Sequence, residues 1–297
     1  MKTEQQLEID GKMISVTNLD KILWTEPKIT KADLIQYYII AAPYALKHWN
    51  QRPLTVTRYP NGIAAKGFYQ KNCPKYAPDW IETYEELTEN RRINYILCND
   101  LAVLLWLANQ AVIEIHPTSY QIDQPDQPSY AIIDLDPTAP LGFSEAVEIA
   151  LKIRVVLQEL GLRGYPKTSG ATGIHIYIPL TAGCTFKQIV RLVEFIGEIL
   201  VRFYPDKVTG ERLVKNRYGV YVDHLQNLPG KTIVGVYSLR PLPGAPVSTP
   251  VLWEELKYIK PLDFNLLTLP ERLQAKGDLF SQVLTNRQSI KHLLPML

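Results

Sequence analysis

Apolar and polar residues recur along this chain with two periods, and the switches between them mark its elements. Residues 12–24 read as a short strand and a turn, and 53–59 (PLTVTRY) as a strand closed by the turn signal PNG at 60–62. Between them, Thr30 stands three residues before Asp33 in capping-box spacing, and Leu34, Tyr37, Tyr38 and Ala41 form a helical stripe. Pro43 should kink or end that helix. Residues 100–110 predict an apolar helix and 112–117 (VIEIHP) a strand. The polar, proline-rich run 121–129 (QIDQPDQPS) is the best candidate for a boundary between two lobes.

Beyond that boundary, 131–136 (AIIDLD) predicts a strand and 143–160 an amphipathic helix stopped by Gly161. PKTSGATG is a Gly/Ser turn, and IHIYIPL alternates with strict period two. A helix over 185–203 and strands over 219–227 and 232–240 follow, and the tail from Trp253 reads as mostly helical. The resulting order, β-α-β-α-β-β, predicts an α+β sheet with helices on one face, not a doubly wound sheet. No internal repeat or low-complexity tract is present.

Composition adds exclusions. With 46% apolar and 21% charged residues, the 297-residue chain is neither disordered, collagenous nor coiled coil. Its formal charge of +2 neither demands nor forbids a nucleic acid, so local charge must decide. The three cysteines, Cys73, Cys98 and Cys184, form no CxxC pair. They predict neither a disulfide framework nor a structural zinc site, and a reduced cytoplasm is expected. Met1 to Asp10 is polar and carries no signal-peptide core. The apolar run Ile96 to Ile115 is interrupted by Asn99, Asp100, Asn109, Gln110 and Glu114, so it predicts a buried helix with its flanks and no membrane span.

Chemistry concentrates in the second lobe. Asp134 and Asp136 lie two apart in a strand, so both face one side while Leu135 faces the other. Two carboxylates about 7 Å apart on one face repel unless a cation lies between them. Asp223 stands in another predicted strand, again where apolar sequence turns polar. Three acids from adjacent strands suit two hard divalent ions, Mg²⁺ or Mn²⁺, of the kind that assist in-line phosphoryl displacement. Gly170 and Gly173 permit close approach of a polyanion, Ser169 adds a hydroxyl, and His175 follows on the neighbouring strand. The Walker A pattern is absent. A DxD strand end facing solvent and a hydrogen-bonded histidine beside a hairpin are the bland alternatives for each piece alone.

Taken in order, DLDP (134–137), SGATGIHIYIP (169–179) and YVDHLQN (221–227) resemble the three motifs of the archaeo-eukaryotic primase superfamily. More closely, they resemble the polymerase domain of bacterial ligase D. TNLDKILW, ITKADLIQYY, RPLTVTRYPNG, GFYQKN, VIEIHP, YSLR and PGAPVSTP extend the likeness over nearly the whole chain. The resemblance implies a primase-like, two-lobed α+β fold with an RRM-like catalytic sheet. The expected layout is an N-terminal lobe (1–125) with DNA-end contacts, a catalytic lobe (126–250) and a helical C-terminal segment (251–297).

It also implies roles. Asp134, Asp136 and Asp223 would hold two Mn²⁺ or Mg²⁺ ions as catalytic residues. Ser169, Gly170, His175, Gln226 and Arg240 would contact the incoming nucleotide. His116 would lie near the metals or the sugar, and Phe68 would stack on a base. Asn18, Lys21 and Lys31 would bind the 5′-phosphate of a DNA break. Lys31 has separate support, because a lysine in a first helical turn is disfavoured by the dipole unless an anion is bound there. Phe68 between Lys66 and Lys71 suits stacking on a nucleic-acid base, although an aromatic is more often core. Thr172 departs from the pattern, since relatives often carry a lysine in its place. Implied partners are NTPs or dNTPs, gapped or 5′-phosphorylated DNA ends, Ku and a separate DNA ligase, with no membrane.

Three other functions compete. A primase or primase-polymerase of the same superfamily is separated from gap filling only by the 5′-phosphate lysines. DLDPT also fits the DxDxT of haloacid-dehalogenase-type phosphatases, with Asp134 as nucleophile, but that chemistry needs a later acidic pair and no Asp-Asp dipeptide occurs. A non-catalytic DNA-end binder would not need all three acids.

Overall fold

A computed structural model describes residues 4–88 and 91–297. The first three residues of the polar Met1 to Asp10 stretch lie outside the described residues. The chain forms two compact units. Unit 1 comprises Met1–Thr118, Thr232–Val247 and Phe264–Gly277, and unit 2 comprises Ser119–Lys231, Ser248–Asp263 and Asp278–Leu297.

Unit 1 begins with a hairpin of β1 (Glu4–Ile9) and β2 (Lys12–Thr17), then the short pair β3 (Ile22–Trp24) and β4 (Ile29–Thr30). Helix α1 (Lys31–Trp49) follows. Its capping box is present, with the Thr30 hydroxyl accepting from Asp33 N and the Asp33 carboxylate accepting from Thr30 N. Pro43 does not end it. The residue lies on the exposed face of the helix, where its missing backbone donor costs least. Burial of Ala42, Ala45 and Trp49 holds the last turns in place.

β5 (Pro53–Arg58) is the centre of the unit's larger sheet. It pairs with β6 (Phe68–Gln70), with β8 (Arg91–Leu97) beside β7 (Thr83–Thr88), and with β9 (Val112–Pro117). Between β8 and β9 runs α2 (Leu101–Asn109), whose first turn is capped by Asp100.

Unit 2 carries β10 (Tyr130–Pro137), α3 (Phe143–Glu159), β11 (Tyr165–Thr168), β12 (Ile174–Pro179), α4 (Phe186–Phe203), β13 (Val208–Thr209) and β14 (Val220–Asp223). The sheet order is β11-β12-β10-β14-β13. Leaving aside the two-residue β13, this is a βαββαβ unit with β10 and β12 central, the split arrangement of an RRM-like sheet. Both helices pack on one face. The stripe Ile189, Leu192, Val193, Ile196 and Leu200 of α4 is buried, and Gly197 lies against Val222 of β14. The expected α+β class with a one-sided helical layer is therefore what forms.

Several expectations change. PKT, read as part of a Gly/Ser turn, belongs to β11, and the strand expected over 219–227 is confined to Val220–Asp223. Residues 232–240 do not add a strand to the catalytic sheet; they belong to unit 1. A single bridge joins Thr232 to Thr118, Gly235 N donates to Ile115 O at 2.8 Å, and a turn with Tyr237 at φ 66° breaks the extended run. The tail from Trp253 is mostly turns, with only α5 (Leu269–Lys276) and α6 (Gln282–Thr285) as α-helices. It is also no separate segment, since α5 belongs to unit 1 and α6 to unit 2. Finally, the break between units falls at Thr118, just before the proline-rich loop rather than within it. None of the described helices is long and apolar enough to cross a membrane.

Candidate active site

The face of the unit 2 sheet opposite its helices is where the polar residues gather. Leu135 pairs with Val222 and Ile174, all on the helical side. The next register position therefore points away from the helices. There the strands align Lys167 with His175, His175 with Asp134, and Asp134 with Asp223. One row of four polar side chains thus crosses β11, β12, β10 and β14 on a single face. Asp136 is two residues on, opposite Tyr221.

Directly opposed positions place the Asp134 and Asp223 Cβ atoms about 5 Å apart. Each acid is turned to a different neighbour. Asp134 Oδ1 lies 3.4 Å from His175 Nε2. Asp136 Oδ2 lies 3.2 Å from Arg217 Nη1, whose guanidinium stacks 3.8 Å from the Tyr221 ring centroid. Asp223 Oδ1 accepts from Leu225 N at 2.9 Å. Among the described residues no three His, Cys, Asp or Glu side chains are drawn together for a metal ion. The donor set nonetheless fits one: two carboxylates stand in direct register, a third is one step along the same face, and hard oxygens suit Mg²⁺ or Mn²⁺.

The turn after β11 is built around Ser169. Its hydroxyl oxygen accepts from Ala171 N and Gly173 N, both at 3.1 Å, and Ser169 N donates to Gly173 O. Those two loop N–H groups therefore close the turn instead of facing outward, contrary to a cradle of free amides. With both lone pairs engaged, the Ser169 hydroxyl can only donate, which suits an anionic oxygen. Gly170 sits at φ 75°, and a Cβ on Gly173 would lie 2.6 Å from Leu135 O, so neither position tolerates a side chain.

Gln226 is half-buried in a 3₁₀ turn, Leu225–Asn227, that follows β14. The residue that sets this turn is Asn227. Its amide continues the ladder onto β10, accepting from Ile132 N at 2.8 Å and donating to Ile132 O at 2.7 Å. Asn227→Ala should cost about 2–4 kcal/mol, because two buried backbone groups lose their partner. A urea melt followed by circular dichroism reads that loss.

The other expected site residues belong to unit 1. His116 and Glu114 share one face of β9, and Arg240 Nε is 2.8 Å from Glu114 Oε1. His116 Nε2 is 3.7 Å from the other carboxylate oxygen, beyond hydrogen-bond distance. Burial pushes the Glu114 carboxyl up, but His116 and Arg240 outweigh it and hold the group below the usual range. Glu114 was legible in VIEIHP as the same-face neighbour of His116, yet only the structure reveals it as the anchor of Arg240. Phe68 is 46% exposed on edge strand β6, with the Arg58 guanidinium 5.1 Å from its ring centroid. It is a surface aromatic, not core.

Of the expected phosphate-binding trio, Asn18 is exposed at φ 54°, and Lys21 Nζ lies 3.4 Å from Asn61 Oδ1. Lys31 stands differently from the expectation. Its ammonium is buried and donates to Thr17 O at 2.8 Å and to Asn109 O at 2.9 Å, with Asn109 Oδ1 at 3.4 Å. Nor is the helix start an open anion site. Lys31 N donates to Lys21 O, Ala32 N to Leu19 O, and Asp33 N to Thr30 Oγ1. The preceding loop fills the positions a phosphate would take, and the Asp33 carboxylate already supplies the negative charge.

The family model described as "LigD, primase-polymerase domain" matches residues 30–280. The chain belongs to that family. It is a metal-dependent nucleotidyltransferase of the archaeo-eukaryotic primase superfamily. Among its relatives, the "Bifunctional non-homologous end joining protein LigD" of Bacillus subtilis (strain 168) is 36% identical over 278 residues, covering 93% of this chain. The "Multifunctional non-homologous end joining protein LigD" of Mycolicibacterium smegmatis is 31% identical over 271 residues and 90% of this chain. The chain spans 45% and 36% of these two relatives' own lengths. The solved "Polymerase Domain from Mycobacterium tuberculosis Ligase D in complex with DNA" superposes with a TM-score of 0.87 at 28% identity, covering 93% of this chain and 99% of that one.

Proposed function

We propose that this LigD-family polymerase fills gaps and extends ends at DNA double-strand breaks in end joining, guided by a template. The observation that carries the reading is the row Asp223–Asp134–His175 on the open face of an RRM-like sheet, beside the Ser169 turn. In this reading Asp134, Asp136 and Asp223 hold two Mn²⁺ or Mg²⁺ ions. Such ions, when bound, supply Lewis acidity to the attacking and leaving oxygens of a phosphoryl transfer.

The chain's own groups do the rest. The Ser169 hydroxyl and the His175 imidazole donate to the triphosphate, with Gly170 and Gln226 beside them, and hold it for in-line attack by a primer 3′-hydroxyl, with pyrophosphate leaving. His116 and Arg240, ordered by Glu114, and the exposed Phe68 are nucleotide or base contacts of unit 1. Lys21 and Asn18 are direct contacts for a 5′-phosphate, and Lys31 supports the loop that carries them. The likeness to end-joining proteins supports Ku and a DNA ligase activity as partners and ribonucleotides as substrates.

The test is extension on a gapped, 5′-phosphorylated duplex with each NTP and dNTP, with Mn²⁺ or Mg²⁺ and after chelation. Templated addition that requires metal and improves with the 5′-phosphate is expected. Synthesis that starts without a primer would favour the primase reading. Phosphate trapped on Asp134 would revive the phosphatase one.

A further inference from the structure

Behind the phosphate-facing histidine lies a fully buried cation that the motifs did not single out. Lys167 has 0% of its surface exposed. Its Nζ lies 2.9 Å from His175 Nδ1 and 2.5 Å from Ser248 Oγ, with the Tyr177 ring centroid 5.7 Å away. Ser248 in turn donates its hydroxyl proton to Thr168 O at 2.8 Å, so it receives Lys167 through a lone pair.

An ammonium carries donors and no acceptor. The Nδ1 that faces it must accept, which leaves the imidazole proton on Nε2. Nε2 is the nitrogen that faces Asp134 on the catalytic face.

We propose that Lys167, ordered by Ser248, is a positioning residue that fixes His175 with its proton on Nε2, aimed at the nucleotide phosphates. The proposal rests on the reading of His175 as a phosphate contact. Without Lys167 the ring can turn its proton to Nδ1 and present a lone pair to an anion, so the loss falls on nucleotide binding.

The direct test uses the unaltered chain, ¹⁵N-labelled, with His175 assigned by its disappearance in His175→Gln. Nδ1 should resonate as an unprotonated, pyridine-type nitrogen and Nε2 as a protonated one. The opposite tautomer, or an exchange-averaged pair of shifts, overturns the proposal; the opposite tautomer would mean that Lys167 is neutral and accepts from the ring. Lys167→Met should lose the fixed tautomer and raise KM for the nucleotide about tenfold, with kcat changed less than about threefold. An unchanged KM with an averaged ring also overturns it. Because the spectrum needs no catalysis, the two readings fail separately. Normal extension with an averaged ring removes this proposal alone, whereas a fixed ring in a chain that never extends a primer removes the polymerase reading.

Discussion

Asp134→Ala should lower primer extension by about 10²–10³-fold while leaving the fold intact, the range seen when a preorganised electrostatic group is removed from a transition state. Asp134 is the central member of its row, with Asp223 opposite on one side and His175 on the other. On the proposed assignment, removing it takes away an ion ligand and also the acceptor that faces the histidine. Stability should change little, because like charges directly opposed across two strands repel. Single-turnover extension with Mn²⁺, DNA binding and a urea melt on the same preparation separate the two effects. Retained extension would sink the assignment of the acids, and a collapsed melt would make them structural.

Replacement of Lys31 should act first on stability, with an expected loss of about 1–3 kcal/mol for Lys31→Met, because the buried carbonyls of Thr17 and Asn109 lose their donor. The side chain joins Thr17 O to Asn109, contacts 14 and 78 residues away in sequence, and so ties the loop before α1 to the end of α2. Burial, followed by the charges of Lys21 and Arg58, lowers its pKa from 10.5 to about 8. The folded state then holds fewer protons than the unfolded state between those two values. The penalty for burying the charge is therefore full below about 8, and stability contributed by this group rises with pH from about 8 to 10.5.

Urea midpoints across that window should climb more steeply in the unaltered protein than in Lys31→Met. Equal slopes would place the ammonium in water. Lys21→Ala, by contrast, should leave the melt unchanged and erase the preference for a 5′-phosphorylated end. If Lys31→Met loses that preference without losing stability, the lysine binds phosphate directly, as the family pattern implies.

How far the sequence reaches is visible residue by residue. The Thr30 capping box, the stop at Gly161 and the alternation in IHIYIPL were legible because each signal lies within a few residues of the element it specifies. The expectation that Pro43 could end its helix failed because the propensity rule is blind to which side of the helix meets water. Residues 232–240 misled because a β-like pattern cannot say which unit it will join.

The candidate site divides in the same way. That Asp134 and Asp136 share a face follows from strand geometry alone, and the spacing of the motifs was enough to name their family. Which residue stands opposite Asp134, where Lys31 sends its ammonium, and that Lys167 meets His175, Asn227 meets Ile132 and Glu114 meets Arg240 were decided only by the folded chain. Local spacing sets backbone shape and side-chain direction, but hydrogen-bond partners tens of residues apart meet only when sheets and helices have closed, and burial then makes those pairings obligatory.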